Sequence, residues 1–341
     1  MDLSALNAIA VAMVTPGKGI LAADESTGTI KKRFDAIGVE NSEINRRDYR
    51  ELMFRSEAMK AHISGVILFE ETLYQDAADG TPLVEIIAAS GAVPGIKVDK
   101  GASRMAGFPG ETVTKGLDGL SKRLRAHRER GARFAKWRGV IDIADGVPTW
   151  GCVKSNAHAL ARYAAICQQE QIVPIVEPEI LMDGAHDIAR CDEVTRWVLQ
   201  TVFSELAEQR VALEGMVLKP NMVISGKGSV RQSSVAEVAE RTIAALKATV
   251  PSAVPGIAYL SGGQTDEQAT AHLDAMNRIG GFPWPMTFSY GRALQAAPQR
   301  AWGGKSENTA AAQRAFMHRA RMNGLASLGQ WDAKLETKKA A

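Results

Sequence analysis

Residues able to do acid–base or nucleophilic chemistry stand in this sequence at the ends of short apolar runs, and several stand in pairs. Lys97 and Asp99, Lys136 and Arg138, and Glu177 and Glu179 are each spaced i, i+2, while Asp24 and Lys219 close two further runs. In an extended chain that spacing points both side chains of a pair to one face. Lys219 is the most informative position. It lies in Met216-Val217-Leu218-Lys219-Pro220, where a lysine is rarely buried without a partner. It reads either as half of a buried ion pair or as an amine that attacks a carbonyl, its neutral form favoured by desolvation and a second cation such as Lys136. Glu177 and Glu179, flanking Pro178, can both ionise at close range only if cations lie between them, and Lys136 and Lys219 can supply these. One carboxyl of the pair then exchanges protons while the other orients the lysines.

Anion recognition has a separate signature. Leu260-Ser261-Gly262-Gly263-Gln264 follows one apolar run and Ser289-Tyr290-Gly291-Arg292 closes the last. Glycines let backbone N–H groups approach a phosphate, and an arginine adds charge and forked donors. Ser261, Gly262, Gly263, Ser289, Tyr290, Gly291 and Arg292 are therefore expected to bind substrate. A second anion site on the opposite side is suggested by the hydroxyl-rich loop Asp24-Glu25-Ser26-Thr27-Gly28-Thr29 together with Lys97, Arg138 and Arg33. The alternative for Ser26 or Thr27 is simple helix capping. Two anion sites with a lysine between them imply a bisphosphorylated carbonyl substrate.

Such residues need a frame that brings them together. Eight runs of strand composition recur: Gly19–Asp24, Gly65–Phe69, Gly95–Asp99, Phe134–Ile141, Ile172–Glu179, Met216–Pro220, Gly256–Ser261 and Pro285–Arg292. Segments with helical spacing separate them, among them Glu43–Lys60, Ala157–Gln171, Cys191–Gln209 and Ser234–Thr249. Eight strand–helix units predict an α/β fold, a single (β/α)8 TIM barrel spanning 1–341 with a flexible C-terminal tail from about 332 and a frayed end at Lys338-Lys339-Ala340-Ala341. Barrel chemistry sits where strands end, which is where these polar residues fall. A dinucleotide fold is not indicated, for no Gly-x-Gly-x-x-Gly is present. Gly304-Lys305-Ser306 resembles the end of a nucleotide-binding loop, but Gln299 stands at the required first glycine and no strand directly precedes it.

Composition narrows the classes further. Lys and Arg number 41 against 38 for Asp and Glu, a net charge of +3, so no polyanionic partner is called for and any phosphate affinity must be local. The basic stretch Lys122–Arg130 carries no interleaved aromatic and reads as a solvated helix face, not a nucleic-acid site. No apolar run reaches membrane-spanning length, and Leu3–Val14 lacks the features of a signal peptide and reads as an amphipathic first helix. Cys152, Cys167 and Cys191 form no Cys-x-x-Cys pair, which points to a reducing, cytoplasmic setting. His62, His127, His158, His186, His272 and His318 are scattered, so no metal site and no cofactor are expected, and a metal-dependent enzyme is the lesser alternative. A catalytically retired scaffold is a second alternative, which the presence of Asp24, Lys136, Glu177 and Lys219 together disfavours.

Taken in order, these stretches resemble class I fructose-bisphosphate aldolase. The matching motifs run from Gly17-Lys18-Gly19-Ile20-Leu21-Ala22-Ala23-Asp24-Glu25-Ser26-Thr27-Gly28 through Gly95-Ile96-Lys97-Val98-Asp99 and Phe134-Ala135-Lys136-Trp137-Arg138. They continue with Ile175-Val176-Glu177-Pro178-Glu179, Leu218-Lys219-Pro220-Asn221, Leu260-Ser261-Gly262-Gly263-Gln264 and Phe288-Ser289-Tyr290-Gly291-Arg292. The resemblance implies a metal-independent homotetramer that cleaves fructose 1,6-bisphosphate to dihydroxyacetone phosphate and glyceraldehyde 3-phosphate. It implies that Lys219 is the imine lysine, Glu177 the acid/base for dehydration, Lys136 and Glu179 electrostatic partners, and Asp24 the group facing the C4 hydroxyl. It assigns Ser261, Gly262, Gly263, Gly291 and Arg292 to the C1 phosphate, and Ser26, Thr29, Arg33, Lys97 and Arg138 to the C6 phosphate. Animal members end in a tyrosine on a mobile tail, whereas the last tyrosine here is Tyr290, so residues after Asp332 are expected to add little to the chemistry.

Overall fold

Apolar residues on both faces of each strand decide the architecture, because one face must meet an interior and the other a layer of helices. The computed structural model describes residues 1–337. In β1 (Gly19–Ala23), Ile20 and Ala22 point inward to a small core with Phe134, Val173, Ile175, Val217 and Ala258, while Leu21 and Ala23 join the larger core under the helices. β2 (Ile63–Leu68), β3 (Val93–Lys97), β4 (Phe134–Ile141), β5 (Val173–Ile180), β6 (Val217–Leu218), β7 (Ile257–Tyr259) and β8 (Met286–Tyr290) follow in parallel. β8 returns to pair with β1 through Ile20–Ser289 and Leu21–Tyr290, closing the barrel. All eight strands overlap the eight runs read from the sequence.

The helix Leu3–Met13 closes the bottom of the barrel. Its Leu6, Ala10 and Met13, spaced i, i+4, i+7, enter the inner core, and Asp2 caps its start by accepting from the Ala5 N–H at 3.1 Å. Phe134 fills the interior above it. An ideal Cβ on Gly95 would lie 2.3 Å from the Phe134 ring, so only glycine leaves room for that ring.

Some elements differ from the sequence expectation. The expected helix 43–60 is two helices, Glu43–Phe54 and Ala58–His62. The basic stretch lies in the helix Leu120–Glu129, which exposes Lys122, Arg125, Arg128 and Glu129 as a solvated face and packs the other through Leu120, Leu124 and His127, with Arg123 donating 2.9 Å to the Val98 carbonyl. A hairpin of three-residue strands, Ala102–Arg104 with Thr112–Thr114, was not signalled, because it is polar and too short for alternation to show. Thr114 Oγ1 donates to the Arg138 carbonyl at 2.7 Å and ties the hairpin to β4. Gly303 and Gly304 take left-handed conformations after the helix Arg292–Trp302, so Gly304-Lys305-Ser306 is a helix end leading into a short turn.

The long helix Thr309–Ala326 carries the chain back across the outside of the barrel. Beyond it, Asp332–Thr337, which the sequence assigns to a flexible tail, contain the turn Ala333–Leu335. Glu336 there accepts from Arg319 at 2.6 Å and from the Trp331 indole at 3.1 Å. The stretch 338–341, read as frayed, lies outside the described residues. Among the described residues no helix is long and apolar enough to cross a membrane.

Candidate active site

Along each inward row the residues change from apolar to charged at the C-terminal end of the strand. Ile20 and Ala22 lead to Asp24, Phe134 to Lys136 and Arg138, Val173 and Ile175 to Glu177 and Glu179, and Val217 to Lys219. Period-two alternation thus delivers all of these side chains to one cavity of about 520 Å³, which Ser26, Thr29, Arg33, Lys97, Ser261, Gly262, Ser289, Gly291 and Arg292 also line.

At its base the four central groups are ion-paired. Glu177 places one oxygen 3.0 Å from Lys219 Nζ and the other 3.2 Å from Lys136 Nζ, and Lys136 Nζ lies 2.7 Å from Asp24 Oδ2. Lys136, Glu177 and Lys219 are only 3–4% exposed. Burial disfavours the ionised form of Asp24, yet Lys136, Lys219 and Lys97 outweigh it and hold the carboxyl well below the usual carboxylate range. Glu177 is depressed in the same way: burial opposes ionisation, while Lys136, Lys219 and Arg138 overcome it. Burial likewise works against the Lys136 ammonium, but Asp24, Glu177 and Asp99 reverse the balance and keep it protonated.

Glu179 does not share the lysines with Glu177 as the sequence reading expected. Its ion-pair partner is Arg138, whose Nε donates to it, so the pair Glu177 and Glu179 is split between the lysine cluster and the arginine. Lys97 lies 3.6 Å from Asp99, whose second carboxylate oxygen is buried and has no hydrogen-bond partner among the described residues.

The anion-binding candidates sort by element. Ser26 sits at the N-cap of the helix Thr27–Asp35 but makes no capping bond, and its hydroxyl instead lies 3.1 Å from that of Thr29. Ser42, Thr149, Asp187, Ser234 and Thr265 do cap their helices with side chains. The simple capping alternative for Ser26 therefore fails, and an uncapped helix N-terminus faces the cavity. Gly291 opens the helix Arg292–Trp302, again without a side-chain cap. Because β1 neighbours β8, the Ser26–Thr29 loop stands beside Gly291 and not across the mouth from it. Arg33 belongs to that boundary: it donates to Glu25, and a Cβ on Gly291 would lie 3.7 Å from its Nη2. Lys97 on β3 and Arg138 on β4 face β7 and β8 from the far side of the ring.

Two assignments need correction or refinement. Tyr290 is not a cavity residue. It points outward into the helix-facing core, fully buried, and donates to the Ala269 carbonyl at 3.0 Å, because the strand alternates and Ser289 takes the inward place. Ser289 is 1% exposed and its hydroxyl has no partner among the described residues. Gly263 stands just behind the lining, with a φ of +75° that favours glycine. The sequence reading missed the support beneath this site. Glu25 accepts from Arg33 and, at 2.8 Å, from Gln295 Nε2, and its carbonyl accepts from the buried Arg50 at 3.0 Å. Adjacency to Asp24 was the one available signal, since Gln295 and Arg50 come from helices distant in sequence.

The profile of the family described as fructose-bisphosphate aldolase class-I matches residues 5–341. The chain belongs to the class I fructose-bisphosphate aldolases. It is 55% identical over 332 residues to a probable fructose-bisphosphate aldolase class 1 of Xanthomonas campestris pv. campestris, covering 97% of this chain and 99% of that one. It is 54% identical to a cytosolic fructose-bisphosphate aldolase 4 of Arabidopsis thaliana, covering 94% of this chain and 82% of that one. A fructose-bisphosphate aldolase of Plasmodium falciparum, solved in complex with TRAP and a small-molecule inhibitor, superposes on it with a TM-score of 0.96 at 48% identity, covering 97% of this chain and 96% of that one. Class I aldolases act through an imine on an active-site lysine, and in this aldolase two lysines, Lys136 and Lys219, stand at the base of the barrel cavity on opposite oxygens of one carboxylate.

Proposed function

We propose that this aldolase reversibly cleaves fructose 1,6-bisphosphate to dihydroxyacetone phosphate and glyceraldehyde 3-phosphate, with Lys219 as the imine lysine. The observation that carries the residue roles is the bridging of Lys136 and Lys219 by the two oxygens of Glu177. Glu177 takes a proton from the Lys219 ammonium, the freed amine attacks the C2 carbonyl, and the carbinolamine loses water as Glu177 returns that proton to its hydroxyl, leaving the protonated imine. That role suits Glu177 because removal of positive charge from the neighbouring amine raises the proton affinity of its carboxylate. The protonated imine accepts the electron pair released when C3–C4 breaks, which forms the enamine and frees the aldehyde. Asp24, kept ionised beside Lys136, takes the C4 hydroxyl proton as the bond breaks and that hydroxyl becomes acidic. Protonation at C3 and hydrolysis then release dihydroxyacetone phosphate and restore Lys219.

Ser261, Gly262, Gly263, Ser289, Gly291 and Arg292 hold the C1 phosphate. Lys97 and Arg138 hold the C6 phosphate from the far side of the ring, with Ser26, Thr29 and Arg33 on the rim between the two groups. Phosphate anchoring at both ends aligns the reacting bond with binding energy from groups that do not react. The working form is a cytoplasmic homotetramer in glycolysis. Three buried free cysteines suit a reducing compartment, and Trp150, 58% exposed and stacked on Trp197, offers apolar surface to a neighbouring subunit.

Borohydride reduction in the presence of dihydroxyacetone phosphate, followed by peptide mapping, tests the imine. One reduced triose phosphate per chain on Lys219 is expected. An adduct on Lys136 or Lys97 would overturn the assignment.

A further inference from the structure

One side chain, Met182, lies against both Gly262 and Gly263, and Leu260 also adjoins Gly262. An ideal Cβ on Gly262 would lie 2.3 Å from Met182 Cε, and one on Gly263 would lie 2.1 Å from Met182 Cγ. The Met182 side chain therefore runs beneath both glycines without entering the cavity. The Gly262 Cβ position that meets the Met182 methyl is also 3.1 Å from Glu179 Oε1. Met182 is buried, and the loop that carries it is clamped on both sides. Leu181 N–H donates to the Ile141 carbonyl at 2.8 Å, extending the β4–β5 pairing, and Lys227 N–H donates to the Met182 carbonyl at 2.7 Å. Gly228 N–H to the Gly184 carbonyl at 3.0 Å and Gly226 N–H to the His186 carbonyl at 2.9 Å complete the clamp.

We propose that Met182 is a positioning residue that sets the height of the anion-binding loop Ser261–Gly263 in the cavity. Glycines have no side chains with which to anchor themselves, yet their N–H groups must meet a phosphate within a fraction of an ångström. The β7 strand beneath them is only three residues long. Met182 supplies the missing support from the neighbouring clamped loop, and an unbranched thioether chain can follow the concave underside of a diglycine. The pedestal acts on phosphate-bearing ligands and leaves the imine lysine untouched, since Lys219 is held from β6 by Glu177. This inference rests on the reading of Ser261–Gly263 as a C1-phosphate loop, and the test separates the two.

Met182→Ala, Met182→Leu and Arg292→Ala are compared with the parent enzyme in two assays: affinity for dihydroxyacetone phosphate, and the rate of borohydride trapping of phosphate-free dihydroxyacetone on Lys219. M182A is expected to weaken dihydroxyacetone phosphate about tenfold and to raise KM for fructose 1,6-bisphosphate more than it lowers kcat, with trapping of dihydroxyacetone unchanged. M182L, of similar volume, restores affinity to within about threefold. Parent-like phosphate affinity in M182A while R292A loses it would overturn the pedestal and leave the phosphate reading standing. Equal losses for both donors in M182A would also overturn it, as general loosening of the site. No loss in either variant would remove the phosphate reading and the pedestal with it. Should M182A not fold, Met182→Val, which fills the space at Cβ and Cγ but lacks Sδ and Cε, is read in the same way.

Discussion

Glu177 can serve two lysines because a carboxylate has two oxygens, and the fold uses both, at 3.0 and 3.2 Å. Its depressed pKa and that of Asp24 depend on Lys136, which touches each of them. A depressed carboxylate adds stability that is present above its ordinary pKa, 3.8 for Asp24 and 4.5 for Glu177, and is lost as pH falls below it. Lys136→Met should therefore raise both carboxyls and move the acid limb of kcat/KM, and the acid unfolding transition, to higher pH, with kcat lower by about 100-fold or more. pH–rate profiles and pH-dependent melts check this, and an unmoved acid limb would show that Lys136 is no electrostatic anchor. Arg292 has no carboxylate within ion-pair distance among the described residues and opens a helix toward the cavity, so its charge is available to a ligand. Arg292→Ala should lose about 1.5–3 kcal/mol, or roughly 10- to 100-fold, in dihydroxyacetone phosphate affinity measured by titration calorimetry. Unchanged affinity would place the C1 phosphate elsewhere.

Elements translate these contacts into precision. The loop after β7 turns from the cavity at Gln264, whose side-chain oxygen lies 2.6 Å from His272 Nδ1 on the helix Asp266–Ile279. Burial pushes the His272 imidazole down from 6.5 to about 4, so the ring is neutral in the folded enzyme and donates to Gln264. The unfolded chain binds the proton first as pH falls, so stability from this contact is full above pH 6.5 and is lost as pH falls from 6.5 to about 4. The loss should total about 3 kcal/mol, and His272→Gln should flatten the pH dependence of the melting curve in that window. A slope as steep in the variant as in the parent would dismiss His272 as its source. The sequence showed Gly262 and Gly263 plainly. It did not show Met182 or His272, because their partners come from other strand–helix units and no spacing rule links them.

At the scale of the whole chain, Glu336 joins the last described turn to the barrel. It pairs with Arg319, which is 4% exposed, and receives hydrogen bonds from His318 and the Trp331 indole. Burial alone would raise the Glu336 carboxyl, but Arg319, His318 and Trp331 together hold it below its usual range. Glu336→Ala should destabilise the fold by about 1–3 kcal/mol, since it leaves the Arg319 charge buried and unpaired, while deleting 338–341 should change fructose-bisphosphate cleavage by less than about tenfold. Thermal melts and steady-state assays of both variants check this. A hundredfold loss on deletion would show that the tail takes part in the chemistry without a tyrosine. The sequence by itself determined the barrel, its eight strands and the charged groups that gather in its cavity. Periodicity of two and the switch from apolar to charged at strand ends are local properties, written out along each run. Tertiary structure decided which groups meet. It gave Glu179 to Arg138, sent Tyr290 outward, set Arg33 between Glu25 and Gly291 and put Met182 against the glycines. Those outcomes depend on ring closure and on the register between strands far apart in the chain, and no single segment encodes either of these.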